Sequence, residues 1–505
     1  MNMANMMSFI KPELLVFNDL ILKSSAPYLW VLLGIVFAII LSVLNKINKK
    51  WFVFIFMLIF ACLGVRSAFR LMNEPAVLLF NQMLISDSFG SFFNILFLGS
   101  AIITALSSFR YLDKQEIQHP EYYILLLLSS LGMMLMASAL DLIVLFIALE
   151  IMSLAVYVLV GFRRHDRKSN EAALKYFILG SVASVMFLYG AALLYGVTAT
   201  TQIREILKHV QTSQGAMSPL FVVGVGLILF GFLFKVACVP LHMWMPDVYE
   251  GAPTPITGFM TAGLKAAAFA AFIRVFTTLG YGTALSAQLQ NHFHDLLWVF
   301  AVATMVVGNL VALLQTNLKR MLAYSSIAHS GYLLVGILSG CLNQEGYAPL
   351  LVYLMAYVVM NLGAFAVLSF LASRDDTGLS LYDLSGLSKR HPVFSFCLAV
   401  FLFSMAGLPP TVGFVGKYWL FYSAVQAGEI SLVVISVLCS AVSVYYYLRV
   451  LVYVYMQDEV SSFGEQRSLS IFYHFAVGLM VICTLQWGLM PSSLLQIAKK
   501  VVMSF

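Results

Sequence analysis

The chain has 505 residues, 61% of them hydrophobic and only 10% charged, with a mean hydropathy of +0.91. Soluble domains run near 25% charged, so lipid is the solvent for most of this surface and a water-soluble enzyme is excluded. The net charge of +6 is spread along the chain as loop charges rather than gathered in a patch, which points to no nucleic-acid partner.

A helix needs about 20 mostly apolar residues to cross the hydrocarbon. Taken in chain order, stretches of that kind lie near 27–45, 51–70, 87–109, 121–139, 141–162, 171–197, 219–245, 253–279, 295–315, 321–340, 348–371, 392–426, 430–456 and 470–490. They predict an all-α polytopic membrane protein of about fourteen spans. The connections "NKINKK", "RYLDK", "RRHDRK", "NLKR", "SKRH" and "EQRS" alternate with connections poor in Lys and Arg, Arg204 and Lys208 excepted. The bias of basic residues toward the cytoplasm then puts odd-numbered connections inside and both termini outside. Cys62, Cys238, Cys341, Cys397, Cys439 and Cys483 show no ligand spacing, so neither an iron–sulfur cluster nor a disulfide framework is encoded. "GVGLILFG" (224–231) lies inside an apolar helix and reads as small residues for helix packing.

Four ionisable residues fall well inside spans: Glu150 in "LFIALEIMSLAV", Lys235 in "GFLFKVACVP", Lys265 in "TAGLKAAAF" and Lys417 in "GFVGKYW". His329, in "YSSIAHSGY", is a fifth. Insertion scales charge roughly 2.5–3.5 kcal/mol for a charge at a helix centre, so four facing lipid would cost on the order of 10 kcal/mol. A bundle avoids that by turning them inward, pairing them and admitting water. A Glu150–Lys235 pair can be a static staple, but three lysines and one glutamate leave an excess of positive charge. That excess favours proton transfer over structure for the set. His329 suits a relay and equally suits simple packing; Ser326, Ser330 and Tyr332 beside it can hold water. Lys175, Arg274 and Arg449 sit nearer span ends and read as snorkelling anchors, and Asp141 reads as interfacial.

Two spans are interrupted. Pro240 and Pro246 break the seventh, and Pro409 and Pro410, flanked by Gly407 and Gly413, break the twelfth. Proline removes a helical hydrogen bond, and the freed groups need protein or cavity water. The broken spans are five apart, so they cross in opposite directions. Lys235 precedes its break, whereas Lys417 follows its own. This pattern predicts two inverted five-span repeats, a pointer to a transport pathway. The expected division is an N-terminal three-span segment (1–118), a first repeat (119–291), a second inverted repeat (292–457) and a final span with the C-terminus (458–505).

The stretches "PLHMWMPDVYEGAPTPITGFMTAGLKAAAFA" (240–270), "LKRMLAYSSIAHSGY" (318–332) and "AGLPPTVGFVGKYWLF" (406–421) resemble the N-type subunits of respiratory complex I, the proton-pumping NADH–quinone oxidoreductase. These belong with the antiporter-like proteins, which share a fold with Mrp-type sodium/proton antiporters. "DVYEGAPTP" and Lys417 favour the N branch over the L and M branches. The resemblance covers roughly residues 85–455. It implies a proton path with Glu150 and Lys235 as a modulating pair, Lys265 as central relay, Lys417 as carrier in the second half and His329 on the same axis. It further implies a translocase subunit with no redox centre or cofactor of its own. NADH, FMN, iron–sulfur clusters and quinone would be handled by partner subunits, in the bacterial cytoplasmic (inner) membrane. Two rivals stay open: a subunit of a multisubunit sodium/proton antiporter, and a non-pumping membrane scaffold.

Overall fold

The computed structural model describes residues 19–44, 49–212, 218–279, 287–342, 346–372, 379–458 and 471–503. The basic loop segment Asn45–Asn48 and the stretch "EQRS" (465–468) lie outside the described residues. Apolar stretches fold as helices because hydrocarbon offers no partner to a free N–H or C=O, and a helix satisfies both within the segment. In order these are α1 (Asp19–Leu44), α2 (Lys49–Leu71), the hairpin β1 (Val77–Leu79) and β2 (Leu84–Ser86), α3 (Ser88–Lys114), α4 (Glu121–Ser138), α5 (Leu142–Val160), α6 (Arg167–Thr198) and the short α7 (Ile203–Thr212). There follow α8 (Pro219–Lys235), α9 (Met245–Gly251), α10 (Thr254–Thr278), α11 (Ala287–Leu314), α12 (Leu318–Leu342) and α13 (Tyr347–Leu371). The last are α14 (Pro392–Ala406), α15 (Val412–Gln426), α16 (Ile430–Met456), α17 (Ile471–Leu489) and α18 (Ser492–Val502).

Among the described residues, 12 helices are long and apolar enough to cross a membrane, and two more apolar helices, α8 and α14, are shorter. Each short helix is the first half of an interrupted span that continues in α9 or α15. Together they account for the fourteen spans of the hydropathy pattern.

The two repeats pack alike. In the first, α4 packs on α5, α5 on α6, α6 on both pieces of the broken span, and α10 closes back on α4 and α8. In the second, α11 packs on α12, α12 on α13, α13 on both pieces of its broken span, and α16 closes back on α11 and α14. Because five is odd, matching helices run in opposite directions. The match extends to the caps. Asp141 accepts from the amides of Ile143 and Val144 at the start of α5, and Asn317 accepts from those of Lys319 and Arg320 at the start of α12. Each capping residue also pairs with the strand-like segment after the next-but-one helix. Leu142 N–H donates to the Thr201 carbonyl and Ile203 N–H to that of Leu140; Leu318 N–H donates to the Leu379 carbonyl and Leu381 N–H to that of Thr316.

The centre belongs to α10, α12 and α13. The apolar window of α10 is 100% buried, against 33% for α16 at the periphery. Lys175, on α6, bonds Asp247 on α9 at 2.8 Å, and Arg320, on α12, bonds both Asp247 and Glu250 at 2.8 and 2.9 Å. This network pins the second half of the first broken span to a helix of each repeat.

Arg274 is not a snorkelling anchor. Its side chain is 4% exposed, its two terminal nitrogens lie 2.5 and 2.9 Å from the carboxylate of Asp87, and its Nε donates to the Ala137 carbonyl. The fork geometry of a guanidinium makes this bidentate arrangement possible. Asp87 also caps α3 through the Gly90 amide, so one ion pair ties the N-terminal spans to α10. Arg449 likewise turns inward, to the carbonyls of Leu313 and Gln315. Removing one partner of a buried ion pair costs about 3–5 kcal/mol. Asp87→Ala is expected to lower the melting temperature of the detergent-solubilised protein markedly, and Asp87→Asn by less; unchanged melting in both would refute the assignment.

Candidate functional site

The site is built on the two helix breaks. α8 ends at Lys235, and Ala237 turns the chain out of the helix with φ +58. The backbone groups released there are taken up by the other repeat. Val239 N–H donates to Thr304 Oγ1 at 3.0 Å on α11, and Ser330 Oγ on α12 donates to the Val236 carbonyl at 2.6 Å. In the second repeat α14 ends at Gly407, whose φ of +84 is the left-handed conformation that closes a helix C-terminus at little cost to glycine. Gly413 N–H then donates to Ser404 Oγ at 3.0 Å. Pro240, Pro409 and Pro410 all lie in these breaks, as the sequence predicts.

The buried charges converge on the same two places. Lys417 Nζ donates to the carbonyls of Met405 and Ala406 at 2.9 and 3.2 Å and to Ser440 Oγ at 2.9 Å. It therefore caps the last turn of α14, where the helix dipole favours a cation. Lys235 is itself the last residue of α8. Its Nζ donates to Ser153 Oγ at 2.8 Å and faces the rings of Tyr157 and Tyr176, each centroid 5.7 Å away. No salt bridge joins it to Glu150. The serine lies one turn beyond Glu150 on α5, between the expected partners, and Glu150 Oε1 is buried with no hydrogen-bond partner.

Lys265 lies at the exact centre of neither break but just after a π-helical turn, Met260–Leu264, that interrupts α10. Such bulges widen a helix locally and recur at functional positions. Lys265 Nζ donates to both the carbonyl and Oγ of Ser326, each at 2.5 Å, and lies 5.3 Å from the Tyr357 ring centroid. Ser326 stands nine residues after the cap Asn317, as Glu150 stands nine after the cap Asp141. The second repeat therefore has a serine where the first has an acid, and that serine holds Lys265 of the first repeat's α10. A cavity of about 10 Å³, lined by Lys235, Tyr176, Trp244, Tyr249 and Lys265 among others, separates Lys235 from Lys265. That is space for roughly one water molecule.

Beyond Lys265 the polar file continues. Ser326 Oγ shares a hydrogen bond of 2.6 Å with the Tyr357 hydroxyl. His329, 2% exposed, has both ring nitrogens engaged, Nδ1 with the Tyr353 hydroxyl at 2.5 Å and Nε2 with that of Tyr447 at 3.2 Å. Tyr332 follows, with Lys417 Nζ 5.4 Å from its ring centroid. The structure thus strings Lys235, Lys265, His329 and Lys417 along neighbouring polar side chains, with Glu150 one turn from Ser153 on α5. Ser153, Tyr353, Tyr357 and Tyr447 are the members that the sequence reading missed.

This geometry invites comparison with known proteins. Residues 139–443 match the family model described as NADH:quinone oxidoreductase/Mrp antiporter, TM. The chain belongs to that family. It is 46% identical, over 84% of its length and 85% of the relative's, to NADH-quinone oxidoreductase subunit N of Trichlorobacter lovleyi. Among solved structures it superposes on a chain of respiratory complex I from Thermus thermophilus with bound aureothin, with a TM-score of 0.78 and 34% identity over 93% of this chain and 98% of that one. A chain of the Mrp complex from Dietzia gives a TM-score of 0.82 at only 19% identity, over 95% and 97% of the two chains. The fold is common to both, and the higher identities are to subunit N relatives and to the first complex I chain.

The close approach at the second break gives a steric test. A Cβ on Gly413 would lie 1.8 Å from the Ser404 carbonyl oxygen, a backbone atom, whereas one on Gly478 would meet nothing within 4 Å. Overpacking of this kind costs about 1–3 kcal/mol or more. Gly413→Ala is expected to lower the melting temperature and Gly478→Ala to leave it unchanged or slightly raised; equal behaviour of the two would contradict the described break.

Proposed function

We infer that the chain is an antiporter-like membrane-arm subunit of a proton-pumping NADH–quinone oxidoreductase and moves protons along the file from Glu150 to Lys417. The observation that carries this is the continuity of the buried path: Lys235, the small cavity, Lys265, Ser326, Tyr357, His329 and Lys417 succeed one another through both repeats. Lysines held by hydroxyls and carbonyls, with no direct carboxylate partner, can give up a proton without leaving a broken ion pair behind. Glu150, set across Ser153 from Lys235, supplies the field that adjusts when the first lysine does so. NADH oxidation and quinone reduction are assigned to partner subunits, and their chemistry reaches this chain by changing the populations of its charge states. We assign the basic connections to the cytoplasmic side and both termini to the opposite side of a bacterial inner membrane. The fold shared with the Mrp complex keeps sodium/proton antiport as the second reading, disfavoured by the difference in identity.

The deciding variant is Lys265→Ala, in membranes, normalised to assembled complex on a native gel. Normal assembly with quinone reductase and vesicle proton uptake both reduced roughly tenfold or more is the expected outcome. Failed assembly would favour a scaffold role for the buried charge. Full pumping would remove Lys265 from the path.

A further inference from the structure

His329 is clamped at both nitrogens, and neither clamp is explained by packing. A neutral imidazole carries one N–H and one lone pair, so of two hydroxyl partners one must accept while the other donates. Tyr353, on α13, faces Nδ1, and Tyr447, on α16, faces Nε2. Phenol hydroxyls rotate to give or take a proton, so the same heavy-atom arrangement satisfies either tautomer. The Tyr447 hydroxyl is in turn bonded to Ser325 Oγ on α12. The Tyr353 ring packs against Gly416, next in sequence to Lys417. The lysines facing the ring are Lys417 and Lys265; the other titratable neighbours are Tyr332 on its own helix, and Tyr353, Tyr357 and Tyr447 across from it. No carboxylate among these contacts rewards an imidazolium.

We propose that Tyr353 and Tyr447 make His329 a tautomer relay, which passes a proton between the Lys265 and Lys417 ends of the file while the ring stays neutral. The step balances. With the ring protonated at Nδ1, a proton arrives at the Tyr447 oxygen and that phenol's own proton passes to Nε2. The Nδ1 proton passes to the Tyr353 oxygen, and the original Tyr353 proton leaves. One proton has entered and one has left, both phenols are intact, and the ring is now protonated at Nε2. Transfer in the reverse direction restores the starting state; a half-turn of the ring does not, because the proton stays on Nε2. No charge has to rest on the imidazole between two lysines, which is what a histidine cation there would require. On the Lys265 side, Tyr357, whose hydroxyl bonds Ser326, has its ring centroid 5.2 Å from that of His329; on the other, the Tyr332 ring beneath Lys417 lies 5.6 Å from it.

The inference rests on the proton path proposed above, and the experiment separates the two. Tyr353→Phe, Tyr447→Phe and the double variant keep the rings and remove only the hydroxyls. They would be assayed in the assembled complex for proton uptake and for the solvent deuterium isotope effect on coupled turnover. Tyr28→Phe, which loses a buried hydroxyl contact to Ser138 far from the file, is the control. The expected result is normal assembly, uptake lowered roughly tenfold in each single variant, and an isotope effect larger than in the parent, because proton transfer at His329 has become limiting. A merely structural hydroxyl would change stability and leave the isotope effect alone. If a Phe variant does not assemble, a fluorinated tyrosine at position 447, nearly isosteric but a more acidic phenol, must still change the isotope effect. Parent-like uptake and isotope effect in the double variant, or no change with the fluorinated residue, overturns the relay. If Lys265→Ala abolishes pumping while the tyrosine variants pump normally, the path stands and the relay falls; if Lys265→Ala pumps fully, both fall.

Discussion

Everything in this molecule follows from one requirement: backbone and charge placed inside hydrocarbon must find partners within the protein. The two helix breaks concentrate that requirement. The first is satisfied from the other repeat, through Thr304 and Ser330, so the discontinuity fastens the two halves together. The second is satisfied partly by Lys417, whose ammonium bonds the carbonyls that α14 leaves open. A lysine that completes a helix end cannot be treated as an added functional group. Its charge is part of what makes the break tolerable, and its deprotonation changes the break.

Internal symmetry gives the path its shape. The repeats share packing order, capping residues and the pairing after the third helix, so each contributes a similar frame around the membrane centre. They diverge where it matters chemically. At matching positions after the caps, the first repeat has Glu150 and the second Ser326. The serine of the second repeat holds Lys265 through its hydroxyl and its carbonyl. The asymmetry leaves one acid against three lysines, an arrangement that resists having every site charged at once.

Much of this was legible in the sequence because lipid imposes a strong code. Span number, the two proline breaks and the buried Glu150, Lys235, Lys265, Lys417 and His329 all stand out against apolar surroundings. Other features carry no such contrast. Arg274 lies near a span end, where an arginine can equally reach water, and its partner Asp87 lies far away in the chain. Ser153 and the tyrosines at 353, 357 and 447 sit in helices where such residues usually mean packing or an interfacial belt; only the fold shows their hydroxyls meeting Lys235, the His329 imidazole and the serines at 325 and 326. The π-turn before Lys265 has no proline to announce it. Nothing in the sequence marks Ser153, one turn along the helix from Glu150, as the residue that takes the hydrogen bond of Lys235.

The most direct test of a path ending at the second break is a single-turnover measurement with pH indicators on both sides of vesicles carrying the reconstituted complex with Lys417→Met. Methionine matches the length of the stem and removes the charge. The account predicts that uptake on the side of the basic connections still occurs in the first turnover, while this subunit's share of the release on the opposite side is lost. Release of parental size and rate, with the complex intact, would contradict it.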